Sequence, residues 1–312
     1  MELNYVIAGA GATGGSIGAF LAASGKNVTF LARGAQLEAF QKEGISMKHT
    51  AKGDFTVAPV KAMTMEEYRD RPDVVFVCVK SYSLEDVIQL MKRTCGPETV
   101  VIPILNIYGT GERMQKSLPD VTVTDGCIYV AAHVSAPGEI THGGDIFRVV
   151  YGLRPGQKTS ETVMGKLSQV KQDLDHAGIS GEYTDHVRRD TFRKFMYTSP
   201  MAAAGEYYHA QAGVFQKEGE PRETFIAMDR ELLTLSKAME LDVPENMVDV
   251  NLAILADLSP EAGTSMQRDI AKGKQSEISE LVYAVEDMAA DYNVEIPVYH
   301  RVIQELKARG LK

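Results

Sequence analysis

Three glycines, Gly9, Gly11 and Gly14, stand in the spacing G-x-G-x-x-G, with Ala10, Ala12 and Thr13 between them. Ahead of them Leu3-Asn4-Tyr5-Val6-Ile7-Ala8 is a short apolar, β-branched run. Behind them Ser16 to Ala23 carries small and apolar residues at helical spacing, and Gly25 stands where a helix would stop. The pattern predicts strand, tight turn and helix. In such a turn Gly9 makes the bend, Gly11 lets backbone approach a pyrophosphate, and Gly14 lets the helix lie close to the strand. The helix N-terminus then directs N–H groups at the phosphates. The chemistry implied is dinucleotide binding by Gly9, Ala10, Gly11, Ala12, Thr13 and Gly14.

The next predicted strand, Asn27 to Ala32, ends at Arg33. Sites that take a free ribose 2′-hydroxyl place a carboxylate at this position, whereas a guanidinium suits a 2′-phosphate, so the expected cofactor is NADP(H). Two further strands, Asp73–Val79 and Thr99–Leu105, are almost wholly apolar, the mark of strands covered on both faces. They deliver Lys80 and Asn106 at their carboxyl ends, where doubly wound sheets bind ligands.

The elements that position these residues read as follows. Helices are expected at 36–43, 83–93 and 161–177, an edge hairpin around 45–48 and 55–60, antiparallel additions to the sheet between 121 and 152, and a last extended piece near 181–184. Beyond Asp185 the periodicity is all helical: 187–204, 223–240, 244–258, 275–292 and 297–309, separated by glycine and proline. The expected architecture is an α/β domain over 1–184, a Rossmann-type doubly wound sheet with added antiparallel strands. An all-α domain over 185–312 follows, with the substrate cleft between them and an apolar face that could serve a homodimer.

Bulk properties narrow the class. The chain has 312 residues, 44% hydrophobic and 24% charged, and a net charge of −9. With no basic stripe, neither nucleic acid nor an anionic membrane is the expected partner. Cys78, Cys95 and Cys127 lack C-x-x-C spacing, so no zinc site or disulfide framework is implied, and Cys78 reads as core. No leader or membrane-length apolar run is apparent, which makes the cytoplasm the expected setting.

The chain resembles the ketopantoate reductase (2-dehydropantoate 2-reductase) family, within the group related to 6-phosphogluconate dehydrogenase. The resemblance spans nearly the whole length. It rests on the fingerprint with Arg33, on Val79-Lys80-Ser81-Tyr82, Leu105-Asn106, Pro137-Gly138-Glu139-Ile140-Thr141-His142, Phe192-Arg193-Lys194-Phe195, and Thr264-Ser265-Met266-Gln267-Arg268-Asp269 followed by Ser276-Glu277-Ile278. It implies NADPH-dependent reduction of a 2-oxo acid to a 2-hydroxy acid, with ketopantoate the leading substrate and pantothenate synthesis the pathway. It implies Lys194 as general acid, Glu277 as its assistant, Asn106 facing the reacting centre, Lys80 near the nicotinamide ribose, and Ser265 on the substrate carboxylate. Taken alone, Lys194 is one of four basic residues with Arg188, Arg189 and Arg193, equally a solvated helix face. The reaction itself calls for such a group, because a lysine (reference pKa about 10.4) carries a proton for the developing alkoxide at neutral pH.

Three departures bear on the substrate. Asparagines four and eight residues after the lysine, which meet the polar end of ketopantoate in the family, are Thr198 and Ala202 here; the tryptophan two before it is Phe192; and the Gln-Asn-Gly turn is Leu105-Asn106-Ile107. Thr198 takes the position of a substrate-binding residue. A less polar 2-oxo acid is the alternative substrate, and a non-catalytic NADP-binding sensor the alternative from another class. Ser265 and Glu277, twelve residues apart, would lie about 18 Å apart on one unbroken helix. A loop or helix-start position for Ser265 is therefore expected.

Overall fold

The computed structural model describes residues 2–51 and 53–312. The chain forms two compact units. One runs to Leu105 and resumes over Gly109–Val187; the other comprises Asn106–Tyr108 and Arg188–Lys312. In place of a single cut after Thr184, a three-residue segment thus belongs with the helical unit, because the Tyr108 ring packs on Phe192 and Phe195.

The first unit contains, in order, β1 (Asn4–Ala8), α1 (Ala12–Ala23), β2 (Asn27–Leu31), α2 (Gly34–Glu43), β3 (Ile45–His49), β4 (Phe55–Val57), β5 (Lys61–Met63) and β6 (Val74–Val77). A 3-10 turn at Ser81–Ser83 leads to α3 (Leu84–Thr94), β7 (Val100–Pro103), α4 (Thr110–Ser117), β8 (Thr122–Val123), β9 (Asp125–Ala136), β10 (Glu139–Gly152), α5 (Glu161–His176) and β11 (Ser180–Tyr183). Six strands form a parallel sheet in the order β5-β2-β1-β6-β7-β8. The chain reverses direction across the sheet between β1 and β6, the switch point at which such sheets open a ligand crevice. β6 and β7 are buried along their whole length, as their apolar sequences require.

The antiparallel strands do not extend this sheet, contrary to the expectation above. They build a second one, order β11-β10-β3-β4, with β9 also paired to β10. The fourteen-residue β10 explains the separation. Along one edge it is antiparallel to β9; along the other it pairs in parallel with β3 at Glu139–His142 and with β11 at Arg148–Tyr151. Both edges are filled by its own partners. α1 packs against both sheets: a Cβ at Gly18 would strike Phe30 of β2, and one at Gly15 would strike Ile140 of β10. Two covered faces leave no polar face, which accounts for the run of small residues in α1.

The second unit consists of α6 (Val187–Tyr207), α7 (Ala212–Phe215), α8 (Glu220–Ala238), α9 (Met247–Asp257), α10 (Ser265–Ala271), a π-helical turn at Ser279–Tyr283 running into α11 (Ala284–Asp291), and α12 (Pro297–Ala308). Its core includes Phe192, Phe195, Phe225, Met228, Leu232, Tyr299 and Val302. Glu231 of α8 accepts the backbone N–H groups of Val298 and Tyr299 at 2.7 and 2.9 Å, placing a carboxylate on the positive end of α12. The helix expected from 275 begins only at Ile278, since the chain turns at Gly273, whose φ is +63°, and residues 274–276 carry no regular structure. Among the described residues no helix is long and apolar enough to cross a membrane.

Candidate active site

The first unit carries a cavity of about 320 Å³ at the carboxyl ends of β1, β2 and β6. Its floor is the glycine turn. Gly9 has φ +95°, and the N–H groups of Gly9 and Ala10 donate to the Leu31 carbonyl, clamping the turn to β2. A Cβ on Gly14 would meet Ile7 Cγ2 at 2.8 Å and Cys78 Cβ at 2.9 Å as well as the Gly9 carbonyl, so only glycine admits this approach of α1 to the strands. A Cβ on Gly11 would meet nothing within 4 Å. Gly11 also caps α1 without a side chain, so no side-chain cap occupies the helix N-terminus at Ala12 and Thr13. The result is a concave, backbone-lined cradle suited to an anion.

Arg33 and Lys80 line this same cavity. Arg33 is exposed at the start of α2; Lys80 is half-buried at the start of the 3-10 turn that follows β6. Gln36, Met65, Glu66, Ser83 and Asp86 also line it and were not singled out from the sequence, since no motif marks them. Gln36 is the most informative: its Oε1 accepts the Gly138 N–H at 3.1 Å, joining α2 to the turn before β10. Cys78 is not simply core. It lies one residue beyond β6 and forms part of the cavity wall, where burial pushes its thiol above its ordinary pKa and keeps it an unreactive surface.

In the second unit α6 presents Lys194, whose Nζ donates to Asn106 Oδ1 at 2.6 Å. Asn106 therefore belongs with the lysine, while the cofactor-type residues Gly9 to Gly14, Arg33 and Lys80 belong to the first unit. Tyr108, two residues on, stands edge-on to Phe192 with ring centroids 4.9 Å apart. Ser265 is the first residue of α10, behind a reciprocal cap in which Thr264 Oγ1 accepts from Gln267 N and Gln267 Oε1 accepts from Thr264 N. Glu277 is 5% exposed and lies after the end of α10, just before the π-helical segment. Ser265 and Glu277 thus sit on separate elements, and the 18 Å separation of a continuous helix does not apply.

Thr198 sits on α6 with its hydroxyl turned to its own helix. Its hydroxyl donates to the Lys194 carbonyl at 2.8 Å, one turn back on α6, so toward a substrate it retains only acceptor capacity. Ala202 is wholly buried in the helical core. Neither residue can donate a hydrogen bond as a side-chain amide does.

A parallel sheet with a glycine cradle at its switch point, joined in one chain to a helical unit holding a lysine against an amide, defines a nicotinamide-dependent oxidoreductase. The family model described as ketopantoate reductase PanE/ApbA matches residues 5–156, and its C-terminal counterpart matches residues 186–310. The chain belongs to the ketopantoate reductase family. It is 26% identical to the 2-dehydropantoate 2-reductase of Aquifex aeolicus, covering all of this chain and 98% of that one. Its fold matches the crystal structure of 2-dehydropantoate 2-reductase from Methylococcus capsulatus with a TM-score of 0.86 at 24% identity, over 99% of this chain and 98% of the other. It also matches a ternary structure of D-mandelate dehydrogenase with NADH and anilino(oxo)acetate, TM-score 0.84 at 18% identity, over 98% of each chain.

Proposed function

We propose that the protein reduces a 2-oxo acid to the 2-hydroxy acid with NADPH, and that ketopantoate, on the route to pantothenate, is the leading substrate. The observation that carries the reading is the 2.6 Å contact between Lys194 Nζ and Asn106 Oδ1. When bound, the nicotinamide supplies a hydride to the carbonyl carbon of the 2-oxo acid. Lys194 then gives one of its protons to the oxygen on which negative charge develops, while Asn106 holds the ammonium in place with a neutral acceptor. Glu277 assists Lys194, and Ser265 binds the substrate carboxylate. Lys80 holds the cofactor near the nicotinamide ribose. Arg33 pairs with the 2′-phosphate, and the Gly9–Gly14 turn takes the pyrophosphate.

A second reading keeps this chemistry but gives it a less polar 2-oxo acid. The Thr198 hydroxyl donates to its own helix and Ala202 is buried, so neither supplies the donors that a substrate hydroxyl would reward. Initial rates with ketopantoate and with 3,3-dimethyl-2-oxobutanoate, the same acid without its hydroxyl, separate the two. A strong preference for ketopantoate supports the first reading; equal or better rates with the second acid select the alternative. Replacing Arg33 by alanine tests the cofactor: the NADPH KM should rise about 10–100-fold, the equivalent of one or two charge-assisted hydrogen bonds, with little change for NADH.

A further inference from the structure

We propose that Tyr108 is a positioning residue for the reduction step, holding Asn106 where it can accept from Lys194. The proposal rests on the reading of Lys194 as proton donor.

Asn106–Tyr108 separates from the strands around it and joins the helical unit. It engages α6 from two sides. Asn106 meets Lys194, while the Tyr108 ring lies edge-on to Phe192 at 4.9 Å and tilted on Phe195 at 6.2 Å. The Arg188 guanidinium donates to the hydroxyls of Tyr108 and Tyr292. Arg188, Phe192 and Phe195 fall at i, i+4 and i+7, one stripe along the helix. Lys194 projects about 100° around the axis from Phe195.

The segment therefore clasps the helix, with its amide on one side and its aromatic anchor on the other. Phe192 and Phe195 are 0% and 2% exposed, so the surface that receives Tyr108 is fixed by the core. A side-chain amide at the end of a short segment has no such fixed frame of its own. Two residues beyond it, the Tyr108 ring and the Arg188 hydrogen bond supply one. Gly109, with φ +77°, then turns the chain away into α4. Ile107 between the two anchors leaves no glycine in the segment to absorb a shift, so displacement of Tyr108 passes directly to Asn106.

The test is steady-state reduction of ketopantoate, or of 3,3-dimethyl-2-oxobutanoate if that is turned over faster, with NADPH by Tyr108→Phe, Tyr108→Ala, Asn106→Ala, the Tyr108→Ala/Asn106→Ala double variant and Lys194→Ala. Tyr108→Ala should lower kcat about 10–100-fold, the scale of an ångström's misplacement of a catalytic group, with NADPH affinity unchanged. Tyr108→Phe, which keeps the ring, should recover most of that loss. In the Asn106→Ala background Tyr108→Ala should change kcat less than about twofold, because residues acting through one contact are not additive. Equal losses in both backgrounds, or an unchanged kcat in Tyr108→Ala, would overturn the proposal. If Tyr108→Ala does not fold, Tyr108→Leu, which keeps apolar bulk but removes the ring and hydroxyl, makes the same comparison in the two Asn106 backgrounds, with the same outcome overturning the proposal. Full activity in Lys194→Ala would instead remove the reading of Lys194 itself.

Discussion

Three carboxylates of the first unit and one of the second are held in contrasting ways. In the first, ions are set against ions: Asp173 against Lys26 at 2.7 Å, Asp73 against Lys166 at 2.7 Å, and Asp125 against Arg154 at 3.1 Å. In the second, Arg189 likewise faces the buried Asp190 at 2.9 Å, but two other ions are set against amides. Lys194 donates to Asn106, and the wholly buried Asp229 accepts from Asn251 Nδ2 at 2.9 Å. An ion pair neutralises its members and pins their protonation. An amide orients an ion without neutralising it, so the proton stays available to whatever arrives next. That is what the proton-donor role proposed for Lys194 requires.

The largest effect expected from disturbing this arrangement is on Lys194. Lys194→Ala should lower kcat by about 10²–10⁴, the usual worth of a placed general acid, with NADPH affinity retained in a fluorescence titration. Asn106→Asp exchanges this amide for the kind of partner that Lys26, Lys166 and Arg154 have in the first unit. The carboxylate would hold the ammonium and compete with the substrate oxygen, and kcat should fall roughly 10–10²-fold, part of the general acid's worth. An unchanged kcat in Asn106→Asp would show that neutrality of the partner is irrelevant.

The carboxylates sharpen the same contrast through pH. Burial pushes Asp229 up to about 7, only partly opposed by the Asn251 hydrogen bond. Its folded pKa exceeds its unfolded value, so the folded state binds more protons between about pH 4 and 7, and stability falls as pH rises through that window, by up to about 1.4 kcal/mol per pH unit. Asp229 Oδ1 and Asn251 Oδ1 both lack a hydrogen-bond partner among the described residues. Asp229→Asn should therefore flatten the decline in Tm between pH 4 and 7. Asp173 has the opposite sign. Burial would raise it, but Lys26, Tyr5 and Gln169 together hold it below the usual carboxylate range, so its contribution is present above about pH 4 and is lost on acidification.

The smallest expected effect concerns the cradle, which is made of backbone and is disturbed by adding atoms. Gly14→Ala should cost about 1–3 kcal/mol by overpacking, because its Cβ would press on Ile7, Cys78 and the Gly9 carbonyl. Thermal denaturation and NADPH titration should both register it, while kcat at saturating cofactor stays within about twofold of the parent.

Legibility in the sequence divides by range along the chain, not by unit. The turn from Gly9 to Gly14 and the strand ends at Arg33 and Lys80 are local features, each dictated by residues within a few positions, and spacing alone exposes them. β5 and α4 escaped notice because β5 is only three residues long and α4, Thr-Gly-Glu-Arg-Met-Gln-Lys-Ser, is largely polar. The second sheet escaped because β10 divides one edge between β3, almost a hundred residues earlier, and β11, and no local pattern encodes such partners.

The sequence by itself determined the strand–turn–helix at the N-terminus, the wholly helical second half and the family, because periodicity, glycine spacing and motif order are properties of neighbours along the chain. Tertiary structure alone decided that Asn106 belongs with the helical unit, that it accepts from a lysine 88 residues away, that Thr198 spends its proton on its own helix, and that Ala202 is core. Each of these depends on which side of a helix faces which neighbour, and packing sets that only after the elements have formed.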